Sequence, residues 1–378
     1  MAIVTPTRLE ALDGVIESFI EPAASEVDET GAFPRSGITA LGEAGLLGMV
    51  SDAALGGGGE GLRSAALAVE RVARSCGSTA MILCMHYAAT AVLEHAGGPL
   101  DVRRAIAEGR HLTTLAFSES GSRSHFWAPL SSARAAGGDV VLNALKSWVT
   151  SAGEADSYVW SSTPVSAPGA SSLWLVPAEA SGLKISAPFN GLGMRGNSST
   201  PVTAVDVRLP RSAIIGSDGT GFDLMLQIVL PWFQIMNAAS SLGIMEAAVA
   251  KTARHAGGTR LEHLDQSLAA FPTVRAYLAR ARIAVDSVKG LLLDSIDAIE
   301  REREDATLRV LEIKAAAGEA AIQVTEMAMR VCGGAAFRKE VGVERHFRDA
   351  RAASVMAPTT DVLYDFIGKA VCGMPLFE

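Results

Sequence analysis

The side chains best suited to chemistry in this sequence are four cysteines, Cys76, Cys84, Cys332 and Cys372, and seven histidines. No two cysteines stand in Cys-x-x-Cys spacing, and no histidines form a His-Glu-x-x-His pair, so no metal or dithiol site is predicted. The cysteines read as buried, reduced thiols. A glycine run, Gly56-Gly57-Gly58-Gly59, has the composition of a phosphate cradle. Such a cradle must follow a strand and open a βαβ unit, whereas apolar residues at helical spacing flank this one, so it reads as an interhelical loop.

Three zones must position whatever chemistry remains. Residues 7 to about 112 carry apolar side chains at helical spacing, as in Leu9, Leu12, Val15, Ile16 and Phe19, and again from Leu62 to Leu93. From about 113 to 215 short β-type runs alternate with turn residues: Thr113–Phe117, Asp139–Leu142, Ser157–Trp160 and Ser172–Val176. Beyond 219 the pattern is helical again, with segments at 222–256, 266–302 and 305–332 and a last helix over Thr359–Ala370. In that last helix Asp361 places a negative charge on the N-terminal dipole. The expected fold is α+β: an N-terminal helical domain (1–112), a middle antiparallel β domain (113–218) and a C-terminal helical bundle (219–378).

Composition narrows the partners. The chain is 49% hydrophobic with only 6% aromatic residues, which suits closely packed helices. A net charge of −8 and scattered lysines and arginines exclude a nucleic-acid surface. The first residues lack a basic stretch followed by an apolar run, and no uninterrupted apolar run reaches about 18 residues, so neither a signal peptide nor a membrane span is expected. The chain is expected to be soluble and cytoplasmic.

Two segments carry a specific resemblance. The first, from Arg330, reads RVCGGAAFRKEVGVERHFRDARAASVMAPTTDVL; the second, at 142–160, reads LNALKSWVTSAGEADSYVW. Both resemble the acyl-CoA dehydrogenase superfamily, whose patterns are Q-x-x-GG-x-G-[FY] … ER-x-x-RDA … EGT-x-[EQ] and LNGxKxWITNAxxAD. Residues 117–125 (FSESGSRSH), 191–216 (GLGMRG … IIG) and the glycine loop with its following helix resemble further segments. The resemblance covers nearly the whole chain and implies an FAD-dependent oxidoreductase that assembles as a homodimer or homotetramer, with the apolar stretch Val371–Phe377 suited to an interface. It implies cofactor contacts at Phe117, Ser118, Trp148, Thr150, Arg254, Arg330, Gly333, Gly334, Thr359 and Asp361. Trp148 would cover one face of the flavin ring, and Thr150 would hydrogen-bond near its reactive nitrogen. Arg260 is an alternative to Arg254. An ion pair with a nearby glutamate is the plainer role for Arg330, as core packing is for Trp148. Substrate contacts fall on Ser124, Arg123, Phe233 and Gln234.

The departures concern the base. Family members place a glutamate before Gly-Thr, or on the first long C-terminal helix, to remove the α-proton of an acyl thioester. Here those positions hold Ala357, followed by Pro358, and a site near Phe233; no ionisable residue lies between Asp223 and Glu246. Asp361 lies one helical turn beyond Ala357 if that segment is helical. His86, His125 and Glu119 are other proton acceptors, although a histidine in mid-helix, such as His86, is more often packed than catalytic. Three readings stay open. One is α,β-dehydrogenation of an acyl thioester with a relocated base, passing electrons to an electron-transfer flavoprotein. Another is a flavin monooxygenase or N-hydroxylase fed by a flavin reductase. The third is a flavin- or acyl-binding homologue without turnover.

Overall fold

The computed structural model describes residues 6–122 and 125–376. The chain divides into two compact units. One runs to Ala68 and adds Ser78–Gly191 and Arg195–Phe233; the other comprises Val69–Gly77, Leu192–Met194 and the chain from Gln234.

The first unit carries the amino-terminal helices and the β domain. Its helices are α1 (Pro6–Val15), α2 (Glu21–Thr30), α3 (Arg35–Glu43), the first half of α4 (Leu62–Ser75), most of α5 (Gly77–Ala96), and α6 (Leu100–Ala107). A π turn at Ile16–Ile20 joins α1 to α2, and Gly31, at φ 72°, closes α2 by returning its N–H to Val27 O at 3.1 Å. The glycine run is an interhelical loop, as its surroundings predict. Its amides turn inward, Gly58 N–H to Gly48 O and Gly59 N–H to Ser51 O, so they hold the loop itself rather than a phosphate.

The β domain is built from β1 (Thr113–Ala116), β2 (Ser132–Ala136), β3 (Asp139–Val149), β4 (Ser157–Ser162), β5 (Ser172–Pro177), β6 (Leu183–Ile185), β7 (Thr200–Pro210) and β8 (Ile214–Ile215). These form two four-stranded sheets, in orders β1-β4-β5-β8 and β2-β3-β7-β6. All pairs are antiparallel except β1 with β4, which run parallel because β2 and β3 leave for the other sheet between them. Strand β4 is buried along its whole length, with Tyr158 and Trp160 in the core beside Trp174 of β5.

The second unit is a helical bundle. After the short α7 (Gly221–Leu224) and a π turn, α8 (Leu230–Gly258) enters this unit at Gln234. Then follow a two-residue β ladder (Arg260–Leu261 with Gln266–Ser267), α9 (Pro272–Glu300), α10 (Ala306–Cys332), α11 (Val343–Asp349), α12 (Ala352–Val355) and α13 (Thr360–Val371). Helix α10 is the hub, packing on α9, α11, α12 and α13. Small side chains allow this closeness: Ala248, Ala328, Cys332, Ala336 and Val343 share one core. At Gly243 a Cβ would lie 2.2 Å from Glu70 O, so only glycine lets α8 approach the end of α4. The segment Gly221–Gly258 is long and apolar enough to cross a membrane, yet 78% of its most apolar window is buried inside the fold, as in a core helix. Cys76, Cys84 and Cys332 are buried as expected. Cys372 is exposed, contrary to expectation, because it lies in the turn after α13.

Candidate functional site

In the β domain the candidate residues gather where β3 loses register. The strand pairs regularly with β7 at Lys146, then slips before Val149. In the slip Trp148 adopts φ 55° and presents its indole to solvent, 68% exposed, with its edge against Phe189 at 6.0 Å. Trp148 is therefore not a core residue. A bulky side chain in left-handed backbone costs of order 1–3 kcal/mol and persists only where neighbours impose it.

The residue that anchors this slip is Lys146. Its ammonium is wholly buried and donates to Glu119, to Ser161 O (2.8 Å) and Ser161 Oγ (2.9 Å), and sits 5.4 Å from the Trp160 ring centre. Burial lowers Lys146 to about 8, and the Glu119 charge opposes that fall. Glu119 also accepts from Leu130 N (2.6 Å), Ser131 N (3.0 Å) and the Ser131 hydroxyl. One residue after Lys146 and one before Glu119, Ser147 N–H donates to Ser118 O at 2.8 Å, which brings Ser118 beside the strand that carries Trp148. The Thr150 hydroxyl is buried and shares a 3.1 Å hydrogen bond with Ser199 Oγ. Phe117 has its side chain in the core, stacked on Phe126, so only its backbone is left for a ligand. Arg123 and Ser124 lie outside the described residues.

An exposed indole, locked in place beside serine and threonine hydroxyls, fits a flat heteroaromatic group with a hydrogen-bonding edge. Lys146 was overlooked because a lone lysine is normally solvated. Its chain neighbours, Leu145 and Ser147, give no contrary signal.

In the helical bundle the candidates are spread over α8, α10 and the stretch that carries Ala357. This residue is half-buried in the extended stretch that joins α12 to α13. Lys314, buried on α10, fixes the stretch by donating to three carbonyls: Ala353 O (3.0 Å), Met356 O (2.9 Å) and Pro358 O (2.7 Å). Burial lowers Lys314 to about 7. Asp361 does not follow Ala357 on one helical face, because α13 begins only at Thr360. Asp361 is exposed in the first turn of α13, after Thr359 at the cap position. Gln234 is fully buried, and Phe233 just before it is half-buried. Gly333 (φ 55°, ψ −137°) turns the chain out of α10 in a backbone region that only glycine readily enters, and Gly334 follows in the same 3₁₀ turn. Arg254 is exposed on α8. Arg330 is exposed and pairs with Glu326 at 3.3 Å, and Arg260 pairs with Asp265.

The alternative proton acceptors are engaged elsewhere. Glu119 is occupied by Lys146 and three further donors. His86 is fully buried, its Nε2 at 3.1 Å from Leu47 O and its Nδ1 accepting from Thr113 N at 3.2 Å, so it is a packed residue that ties α5 to the start of β1. Burial lowers it to about 4. His125 is exposed and rests on Ser122 O.

Three family models match the chain. They are described as acyl-CoA dehydrogenase N-terminal domain (residues 9–100), middle domain (114–207) and C-terminal domain (219–372). The short-chain specific acyl-CoA dehydrogenase of Homo sapiens mitochondria is 29% identical over 352 residues, covering 92% of this chain and 84% of that one. The butyryl-CoA dehydrogenase structure from Megasphaera elsdenii superposes with a TM-score of 0.89 at 21% identity, covering 98% and 100% of the two chains. An FAD complex of PigA superposes with a TM-score of 0.88 at 17% identity, covering 98% and 99%.

Proposed function

The chain belongs to the acyl-CoA dehydrogenase family and is an FAD-dependent oxidoreductase, and from that premise we propose that it oxidises an acyl thioester with FAD held against its β domain. The observation that carries the reading is Trp148, exposed and locked in left-handed backbone beside Ser118 and Thr150. When bound, FAD supplies the two-electron acceptor. Trp148 covers one face of its ring, and the Ser118 and Thr150 hydroxyls satisfy its polar edge. Arg254 or Arg330 would meet the pyrophosphate of a neighbouring subunit's FAD, because guanidinium matches phosphate geometry, and Gly333 and Gly334 are further cofactor contacts. Electrons pass on to an electron-transfer flavoprotein, and the subunits assemble as a homodimer or a dimer of dimers. The exposed Val371 at the end of α13 and Met374 beyond it supply apolar surface for that assembly.

A second reading, oxygen transfer by reduced flavin supplied by a reductase, is favoured by one observation. Ala357, Phe233 and Gln234 cannot accept an α-proton, and Glu119 and His86 are engaged in structural bonds. Oxygen transfer needs no such acceptor.

One experiment separates the two. Purified protein reconstituted with FAD is mixed anaerobically with acyl-CoA thioesters while the flavin absorbance is followed. Bleaching supports dehydrogenation. Bound flavin that no thioester bleaches, but that once reduced consumes oxygen without releasing an equivalent of hydrogen peroxide, supports oxygen transfer. Failure to retain FAD sinks both. A positioned base contributes about a hundredfold or more, so Ala357→Glu is expected to speed bleaching by about that factor under the first reading.

A further inference from the structure

Helix α8 buries polar side chains that have no partner. Among the described residues, neither amide atom of Gln234 finds a hydrogen bond, and the same holds for Asn237 Oδ1 and Ser240 Oγ. All three residues are at most 1% exposed. Asn237 Nδ2 reaches only Met356 Sδ, at 3.3 Å, a weak acceptor. Other buried hydroxyls on these helices bond back to the preceding turn: Ser241 to Asn237 O, Thr252 to Ala248 O, Thr325 to Ala321 O. Ser240 does not; the unit's other unpaired buried side-chain atoms among the described residues, Arg345 Nε, His346 Nδ1 and Thr360 Oγ1, lie on α11 and α13, so α8 carries the one continuous row of them. The three residues follow one another at i, i+3 spacing and therefore form a single row along the helix. Buried polar groups without partners are costly, and native folds keep few of them.

At Asn237 the row meets the stretch that carries Ala357. Asn237 touches Met356, which precedes Ala357, and Lys314 has its three N–H bonds committed to the carbonyls of that same stretch. No ionisable residue occurs on the helix between Asp223 and Glu246, so an ionised group would meet no countercharge from α8, and burying it would be prohibitive.

We propose that Gln234 and Asn237 recognise a neutral hydrogen-bonding substituent, a hydroxyl or carboxamide, on the acyl group, making this a site for a polar rather than a plain alkyl thioester. The inference rests on the acyl-thioester reading above and specifies its substrate class. An amide pair both donates and accepts, so it matches a hydroxyl, and an alkyl chain would leave both amides unpaired.

The test is equilibrium binding by calorimetry, with no turnover required. Butyryl-, hexanoyl- and octanoyl-CoA are each compared with their ω-hydroxy counterparts on the wild-type protein and on Gln234→Met/Asn237→Leu. The wild type is expected to bind at least one hydroxylated member about tenfold or more tightly than its alkyl twin. The double variant is expected to lose that preference and, with no ligand added, to melt at a higher temperature than wild type. Should the double variant not fold, Asn237→Leu alone serves, and the wild-type comparison stands regardless. Binding without preference, a preference for alkyl chains, or a preference that survives the substitutions overturns the inference and leaves the acyl-thioester reading intact. No binding of any thioester overturns both.

Discussion

Replacing Lys146 by methionine keeps the length and packing of the side chain and removes only the ammonium. Glu119 would then keep three donors, Leu130 N, Ser131 N and the Ser131 hydroxyl, but lose its countercharge inside the β domain. Ser161 O and Oγ would lose a donor at 2.8 and 2.9 Å. Breaking a buried pair from one side costs about 3–5 kcal/mol, because the remaining charge stays buried. Adding Glu119→Gln removes that charge while keeping an acceptor for the loop amides, so the double variant is expected to recover about 1–2 kcal/mol of the loss. Urea unfolding followed by tryptophan fluorescence measures all four members of the cycle. Because Lys146 also fixes the slip that presents Trp148, FAD release by the folded Lys146→Met protein should be faster than by wild type. A Lys146→Met protein within about 1 kcal/mol of wild type, or a cycle with no coupling between the two sites, would refute the reasoning.

Three further outcomes are expected. His86 stays neutral in the fold down to about 4, whereas the unfolded chain takes up its proton near 6.5. Stability should therefore fall by about 3 kcal/mol as pH drops across that window, and His86→Gln, which keeps both hydrogen bonds, should flatten the decline in urea midpoints measured against pH. Trp148→Ala removes an exposed side chain and leaves a Cβ at the same left-handed position, so unfolding should change by less than about 1 kcal/mol while retained FAD, read from absorbance after gel filtration, drops sharply. Gly58→Ala would place a Cβ 2.2 Å from Met49 O, a backbone atom that cannot step aside. A loss of about 2–4 kcal/mol is expected, with FAD content unchanged at temperatures where the protein is folded.

The order of helical, β and helical zones was legible because hydrophobic periodicity changes twice along the chain, and strands such as Ser157–Ser162 are rich in aromatic and β-branched residues. The glycine loop was legible from its helical flanks. The parallel pairing of β1 with β4 was not, since it depends on strands that switch sheets between them. Nor was the backbone of Trp148, because a register slip is decided by cross-strand partners far away in sequence. The sequence places Ala357 where the resemblance leads one to expect a carboxylate. It could not show that Glu119 and His86 were already occupied, nor that Gln234, Asn237 and Ser240 were unpaired, because both facts are properties of three-dimensional neighbours. Lys314 was silent for the same reason: its value lies in three carbonyls that begin 39 residues away.

The way Lys314 grips its loop bears on how this chain could have diverged from its relatives. It holds Ala353, Met356 and Pro358 by main-chain oxygens, and main-chain oxygens do not change with the genetic code. None of these three bonds depends on which side chain stands at 357. Mutation can explore that position, losing a carboxylate or regaining one, while selection on stability scarcely registers the change. A lineage built this way can keep its architecture and trade its chemistry in a single substitution.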